Sequence, residues 1–206
     1  MDKGLLVHIS DGILTSEIVV ATSIISALFL LFSLKDLKNE NIAMVSAMSA
    51  MFFIASFIHI PVGPTQIHLV LIGVIGILLG KRVFLSILIA LLLQATLLGF
   101  GGLTSLGANL IIMALPAYII YIIVNRGFLN FLGEKLKFFS IGFLAVGIST
   151  FILALILALT KEEYLYASYT VIAANIPAMV IEGLVTLFLL NYLKKSIPWI
   201  LKEANL

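Results

Sequence analysis

The feature that most constrains this chain is a succession of long apolar runs separated by short polar connections. Seven such runs can be marked, at 16–34, 42–59, 67–80, 83–99, 106–124, 138–160 and 169–193. A bilayer-spanning helix needs roughly 20 mainly apolar residues. The runs approach or meet that length, except the third, which is short. Hydrocarbon offers no partner to backbone N–H and C=O groups, so a run of this kind must satisfy them internally, as a helix does. Composition agrees: 62% of the 206 residues are hydrophobic and 11% charged, against about 45–50% and about 25% in soluble domains. The expected fold class is an all-α integral membrane protein with seven transmembrane helices, a single domain over 1–206. Its parts are an extracellular amino-terminal segment (1–15), a seven-helix bundle (16–193) and a cytoplasmic tail (194–206). Too few residues precede His8 for the basic and apolar regions of a secretory signal, so the first run is expected to be retained.

The connections alternate in charge. Lys35, Lys38, Lys81, Arg82, Arg126, Lys135, Lys137, Lys194, Lys195 and Lys202 fall in one set, and only Lys3 and Lys161 in the other. Ten of the twelve basic residues therefore share one side when seven spans are assumed, and six spans would scramble the split. The positive-inside rule puts that side in the cytoplasm, with the amino terminus outside and the carboxyl terminus inside a multi-pass cell-membrane protein. The same assignment brings His8, His59 and His68 to the outer side. The stretch 125–137 is the longest inner connection and reads as a loop with some surface-helix character.

Between the second and third runs lies IPVGPTQIHL, residues 60–69. Pro61 and Pro64 bracket Gly63, so the chain turns here and cannot continue as one helix. Irregular backbone at membrane depth is tolerated where protein buries it or it lines a cavity. Thr65, Gln66 and His68 follow at the mouth of the next run. A second imidazole, His8, sits in HISDGIL near the amino terminus. Cysteine is absent, so disulfides and thiolate ligands are excluded and a transition-metal site must use nitrogen or oxygen donors. The reading from spacing is that His8 and His68 meet and hold a transition metal ion, with Asp11, Thr65, Gln94 and Asn109 as candidates to orient or complete the site. Interfacial histidines bonded to water or backbone would leave the same spacing. His59 reads as structural.

Other polar and small residues bear on packing. Glu182 lies within the last run, where a carboxylate is costly and normally faces a cavity or a partner. Small residues recur at four-residue spacing: Ala43 and Ala47, Ser46 and Ala50, Gly76 and Gly80. Such faces allow close helix approach in lipid, either within the bundle or against a separate membrane subunit. Ala43 and Ala47 are the candidates for partner docking. GILLGKR lacks the spacing of a phosphate-cradling loop, and neither HExxH nor GxSxG occurs, so no ATPase or covalent chemistry is visible, and nothing points to nucleic acid.

Several motifs together resemble one family. HISDGIL is similar to the MHIxDGxL amino terminus of the cobalt/nickel substrate-binding components of energy-coupling-factor transporters, the CbiM/NikM family. IHIPVGPTQIHL resembles that family's metal loop, QATLLGFGGLTSLGANLIIMALPA its QAxxFGxGGxxxxGxNxxNMxxPA stretch, and VIEGLVT its EGxxT. The likeness runs from about residue 8 to 193. It implies a seven-span fold with the amino terminus outside and a square-planar nitrogen site. That site takes the terminal amine, the backbone nitrogen and imidazole of residue two, and the loop imidazole. Carried over by position, the imidazoles are His8 and His68. Such a donor set suits nickel(II) and cobalt(II), here the transported substrate, with no organic cofactor. The resemblance also implies two cytoplasmic ATPase subunits, a coupling transmembrane subunit and a small accessory membrane subunit. This chain departs from the pattern in one respect: Val7 occupies the family's initiating methionine, with MDKGLL upstream. The expectation is that the functional chain begins at Val7, whose amine then adjoins His8.

Two other function classes fit parts of the sequence. A vitamin-specific component of the same transporter class would need aromatic and hydrogen-bonding pocket residues and no outer histidine pair. A membrane metalloenzyme would need a general base beside the metal, for which Asp11 is the nearby candidate.

Overall fold

The computed structural model describes residues 8–62, 65–203 and 206, and only the backbone of 59–62, 65–67 and 203. The helices are α1 (Ser16–Lys35), α2 (Ile42–Ala55), α3 (Ile72–Leu79), α4 (Val83–Leu93), α5 (Leu106–Asn125), α6 (Glu134–Thr160), α7 (Leu165–Ser196) and α8 (Pro198–Glu203). Among the described residues, five helical stretches are long and apolar enough to cross a membrane: Ser16–Lys35, Ile72–Leu98, Leu106–Asn125, Glu134–Thr160 and Glu162–Ser196. The second of these doubles back. A straight helix of that length would hold its ends ~40 Å apart, yet the rings of His68 and Phe100, which flank it, lie 6.5 Å apart. The reversal is at Gly80, where φ is +54° and an added Cβ would meet the Tyr121 ring at 3.0 Å. Glycine alone adopts that conformation without steric cost.

The surface of the bundle is inverted relative to a soluble protein. On α1 the buried residues are Thr22, Ser26 and Ser33, while Val20, Ile24, Ile25, Leu28 and Leu31 are exposed. Large contiguous apolar surface is the mark of a lipid or protein partner, and here it belts the outside of α1, α6 and α7. Inside, helices approach through small residues. A Cβ on Gly73 would sit 2.9 Å from the Ile141 carbonyl oxygen, and one on Gly76 would collide with the backbone of Ala117. Gly76 and Gly80 thus serve internal packing. Ala43, Ser46, Ala47 and Ala50 are exposed on α2.

One end of the bundle carries the lysines. Arg82 pairs with Asp36 at 3.8 Å, Lys81 lies over the Phe32 ring at 5.1 Å, and Lys194 pairs with Glu134. The helix ends and connections bearing the ten basic residues grouped above all belong to this end, and Lys161 lies at the opposite one. The connection after α5 forms turns rather than a surface helix before α6 starts at Glu134.

The stretch after α2 differs most from the sequence reading. It forms an antiparallel hairpin, β1 (His59–Val62) with β2 (Thr65–His68), pairing His59 with His68 and Val62 with Thr65. α2 therefore ends earlier than expected and α3 begins at Ile72 instead of near residue 67. A two-strand ribbon has two edges, so Pro61 is accommodated without breaking a sheet.

Candidate functional site

The site is built at the end of the bundle opposite the lysines. The connection between α4 and α5 forms its wall. α4 continues as a π-helical segment, Gln94–Leu98, closed by Gly99 at φ +65°. Single π turns occur mostly at functional sites. Gln94 heads this segment, fully buried. Its carboxamide makes no hydrogen bond among the described residues, while its backbone carbonyl accepts the Phe100 N–H at 3.2 Å.

Residues 101–109 then clasp the amino-terminal segment. Asn109 Oδ1 accepts the Ile9 N–H at 2.8 Å, Asn109 Nδ2 donates to the Ile9 carbonyl at 2.9 Å, and Ser105 Oγ donates to that carbonyl at 2.6 Å. Asp11 accepts from Leu103 N at 3.2 Å, Thr104 N at 2.9 Å, Thr104 Oγ1 at 2.5 Å and Ser105 N at 3.2 Å. These bonds, the Thr104 hydroxyl foremost, hold the Asp11 carboxyl below its ordinary value. Both flanking glycines are required by contact. A Cβ on Gly101 would meet Asn109 Nδ2 at 2.9 Å, and one on Gly102 would collide with the Asp11 carboxylate.

The clasp delivers His8 into the bundle. Its ring is buried, 4% exposed, and stacks on the His68 ring with centroids 5.2 Å apart and planes 12° apart. Phe100 extends the stack beyond His68. Both His8 ring nitrogens lack a hydrogen-bond partner among the described residues. An unsatisfied buried polar atom costs about 1–3 kcal/mol. Burial first, and the adjacent His68 second, push the His8 imidazole down from 6.5 to about 3. It is therefore neutral at ordinary pH, the form that ligates metals.

His68 is placed by the joint between β2 and α3. Leu69 N–H donates to the Ile58 carbonyl at 3.3 Å. Val70 N–H donates to Glu182 Oε1 at 2.5 Å and Leu71 N–H to Glu182 Oε2 at 3.1 Å. Leu71 has φ +53° and is the one non-glycine residue of positive φ among the described residues. Left-handed backbone costs an L-residue roughly 1–2 kcal/mol. Two successive N–H groups turned toward one carboxylate make a small anion nest.

Of the residues expected at the site, the structure brings together His8 and His68, and it ties Asp11 and Asn109 to the amino-terminal segment as its clasp. Gln94 is buried and is joined to Phe100 through its backbone carbonyl. Val7 and the side chains of Thr65 and His59 lie outside the described residues. Among the described residues no group of three or more His, Asp or Glu side chains converges. Sequence reasoning missed Ser105 and Thr104, the stacking of Phe100, and the junction role of Glu182. The spacing GGLTSLGAN carried the first two, since glycines beside hydroxyls at a helix start mark a clasping loop.

Comparison with known proteins decides the family. Residues 8–200 match the CbiM family, described as the cobalt uptake substrate-specific transmembrane region. The chain belongs to this family. A Haemophilus influenzae protein named for metal transport is 30% identical over 202 residues, which cover 96% of this chain and 98% of the other. A cobalt transport protein CbiM from Thermosipho melanesiensis is 32% identical over 93% of this chain and 88% of its own. A fused nickel transport protein NikMN from Rhodobacter capsulatus is 32% identical over 58% of this chain and 38% of its own. The fold matches a crystal structure of a transition metal transporter with a TM-score of 0.79 at 22% identity, covering 91% of this chain and 92% of that one. As a member of this cobalt-uptake family with five long apolar helical stretches among the described residues, the protein is a multi-pass membrane protein.

Proposed function

We propose that this protein is the substrate-binding membrane subunit of an ATP-driven importer of the energy-coupling-factor type, and that it captures cobalt(II) or nickel(II) at an outward-facing nitrogen site. The observation that carries the reading is the buried His8 ring, both nitrogens without a hydrogen-bond partner among the described residues, stacked on His68. A metal ion is the partner that a converging pair of imidazoles suits, and nitrogen donors suit nickel and cobalt. His8 and His68 supply the imidazoles. The backbone nitrogen of His8 and the amine of Val7, in a chain beginning there, complete the set. Asp11 and Asn109 orient it, with Thr65 and Gln94 as further candidates.

The chain crosses the membrane seven times, with the amino terminus outside and the carboxyl terminus in the cytoplasm. α3 and α4 are separate passes joined by the Gly80 turn, and the hairpin of β1 and β2 dips in from the outer side to lengthen α2 and α3. The ten-to-two distribution of basic residues supports this orientation. ATP hydrolysis belongs to a pair of partner ATPases, reached through a coupling membrane subunit that docks on the exposed Ala43–Ala47 face, with a small accessory membrane subunit completing the assembly. The metalloenzyme alternative is disfavoured because Asp11, its candidate base, is engaged by Leu103, Thr104 and Ser105.

The test is metal titration of purified wild-type, His68→Ala and His59→Ala proteins with nickel(II) and cobalt(II). His68→Ala abolishes high-affinity binding while the protein still folds and inserts, and His59→Ala has a far smaller effect. Equal binding by the two variants would discard the site.

A further inference from the structure

Glu182 is a buried carboxylate, 1% exposed, that the metal reading leaves without a task. Among the described residues it forms no ion pair with a Lys, Arg or His; its partners are the N–H groups of Val70 and Leu71. A carboxylate at this depth in an apolar helix is costly unless such bonds are needed. The bonds lie at the place where the backbone is least able to hold itself, the left-handed Leu71 that opens α3. His68 ends β2, three residues before Leu71. The intervening Leu69 is tied on its other side to Ile58, at the end of α2. The segment from His68 to Leu71 is thus pinned between Ile58, which follows α2, and α7, where its acidic anchor among the described residues is Glu182.

We infer that Glu182 is the positioning residue for His68: by accepting the Val70 and Leu71 N–H groups it holds the left-handed turn at Leu71 that sets the loop imidazole against His8. This rests on the reading of His8 and His68 as metal donors. Without the carboxylate, the two N–H groups lose their common acceptor and Leu71 relaxes toward negative φ. The strand end then swings, and the two rings separate. Among the described residues Glu182 bonds to the Val70 and Leu71 N–H groups and not to His8 or His68, and it acts through the backbone.

The test uses the full chain in lipid nanodiscs, titrated with nickel(II) and followed by competition against a chromogenic chelator and by the ligand-field absorption of the bound ion. Four variants are compared with wild type: Glu182→Gln, Glu182→Ala, Leu71→Gly and the double variant Glu182→Ala/Leu71→Gly. Glu182→Ala weakens binding by about tenfold or more, the scale seen when the supports of metal ligands are removed, and shifts the absorption band. Glu182→Gln, nearly isosteric and retaining one acceptor oxygen, lies between. Leu71→Gly removes a buried side chain and lowers stability on its own, so it is the reference for the double variant; glycine also takes the left-handed conformation freely. For the same reason the double variant regains part of the affinity lost in Glu182→Ala, which a packing defect would not. Should Glu182→Ala fail to fold, the comparison passes to Glu182→Gln with and without Leu71→Gly. Wild-type affinity in Glu182→Ala, or in Glu182→Gln when that comparison is used, overturns the inference alone, as does the absence of any gain from Leu71→Gly. Failure of the otherwise unaltered chain to bind nickel(II) or cobalt(II), both from Met1 and when begun with methionine at position 7, overturns the metal reading and this inference with it.

Discussion

Asn109 grips the backbone of Ile9 with both ends of its carboxamide, accepting the N–H at 2.8 Å and donating to the carbonyl at 2.9 Å. The two residues are joined across the mouth of the bundle, and the bond pair fixes the residue that follows His8. Leucine at 109 would fill similar space and leave the buried Ile9 N–H unsatisfied, at about 1–3 kcal/mol, with the Ile9 carbonyl held by Ser105 Oγ alone. Aspartate would keep the acceptor for Ile9 N–H and set an oxygen against the Ile9 carbonyl. Both variants should insert normally and lose about 10–100-fold in nickel(II) affinity, with Asn109→Asp no better than Asn109→Leu. Competition titration checks this; wild-type affinity in both would remove the clasp from the site's design.

Asp11 gives the clasp a pH dependence of defined sign. Its folded-state pKa is depressed, the Thr104 hydroxyl being the largest cause. The undocked segment therefore takes up a proton first as pH falls, and docking strengthens as pH rises through that interval. The Asp11 contribution is complete above the ordinary carboxyl value of about 3.9 and is lost as pH falls through the depressed folded value. A spin label on Ser10→Cys, in a chain that has no other cysteine, should stay immobilised from pH 8 to pH 5 and loosen in strong acid. Asp11→Asn in the same background should be looser at neutral pH and should lack the component of acid loosening that Asp11 supplies.

The helical passes were legible because membrane solvation acts on local composition. α1, α5, α6 and α7 fall where apolar length places them, although α6 and α7 begin several residues earlier than hydropathy alone suggests. The pairing of His8 with His68 was legible as a consequence of which connections share a side. What local sequence could not carry is the start of α3. The third apolar run reads as a helix from about residue 67, yet Thr65–His68 pairs with His59–Val62 instead, and the helix waits until the Val70 and Leu71 N–H groups find Glu182, 112 and 111 positions along the chain. A bond of that sequence separation leaves no periodic signal. The clasp was half legible: Asn109 and Asp11 stood out as polar residues near apolar runs, whereas the backbone groups they bind, those of Ile9 for Asn109 and of Leu103–Ser105 for Asp11, are signalled only indirectly, by the glycines and hydroxyls of GGLTSLGAN.

The exposed small-residue face of α2 separates capture from transport. Ala43 and Ala47 lie on the surface, while the buried face of the same helix is Val45, Ser49 and Phe52, with the Ser49 hydroxyl donating to Val45 O and bonded to Ser86. Bulk at 43 or 47 therefore leaves the bundle intact and holds any partner helix away. Ala43→Leu and Ala47→Leu should each lower metal uptake by cells carrying the whole transporter about tenfold, the equivalent of ~1.4 kcal/mol of lost helix packing. Metal binding by the isolated subunit should be unchanged. Loss of binding in the isolated subunit would assign the face to internal packing.

The last prediction concerns the donors contributed ahead of His8. In a chain that begins Met-His-Ile at positions 7 to 9, the terminal amine, the His8 amide nitrogen and the His8 imidazole form fused chelate rings, so one binding event fixes three donors. Holding donors ready in this way removes most of the ordering entropy that binding otherwise costs. With six further residues attached, the amine is remote and that chelate cannot form. Two chains are compared, one carrying Met1 to Leu206 and one beginning with methionine at position 7, their amino termini verified by intact mass. The shorter chain should bind nickel(II) at least about tenfold more tightly, in line with the loss expected on removing a supporting donor. It should also show the yellow absorption of a planar four-nitrogen complex, and acetylation of its amine should abolish the gain. A full-length chain that retains Met1 and binds as tightly, with the same spectrum, would take the amine out of the donor set and require the fourth ligand to come from within the bundle.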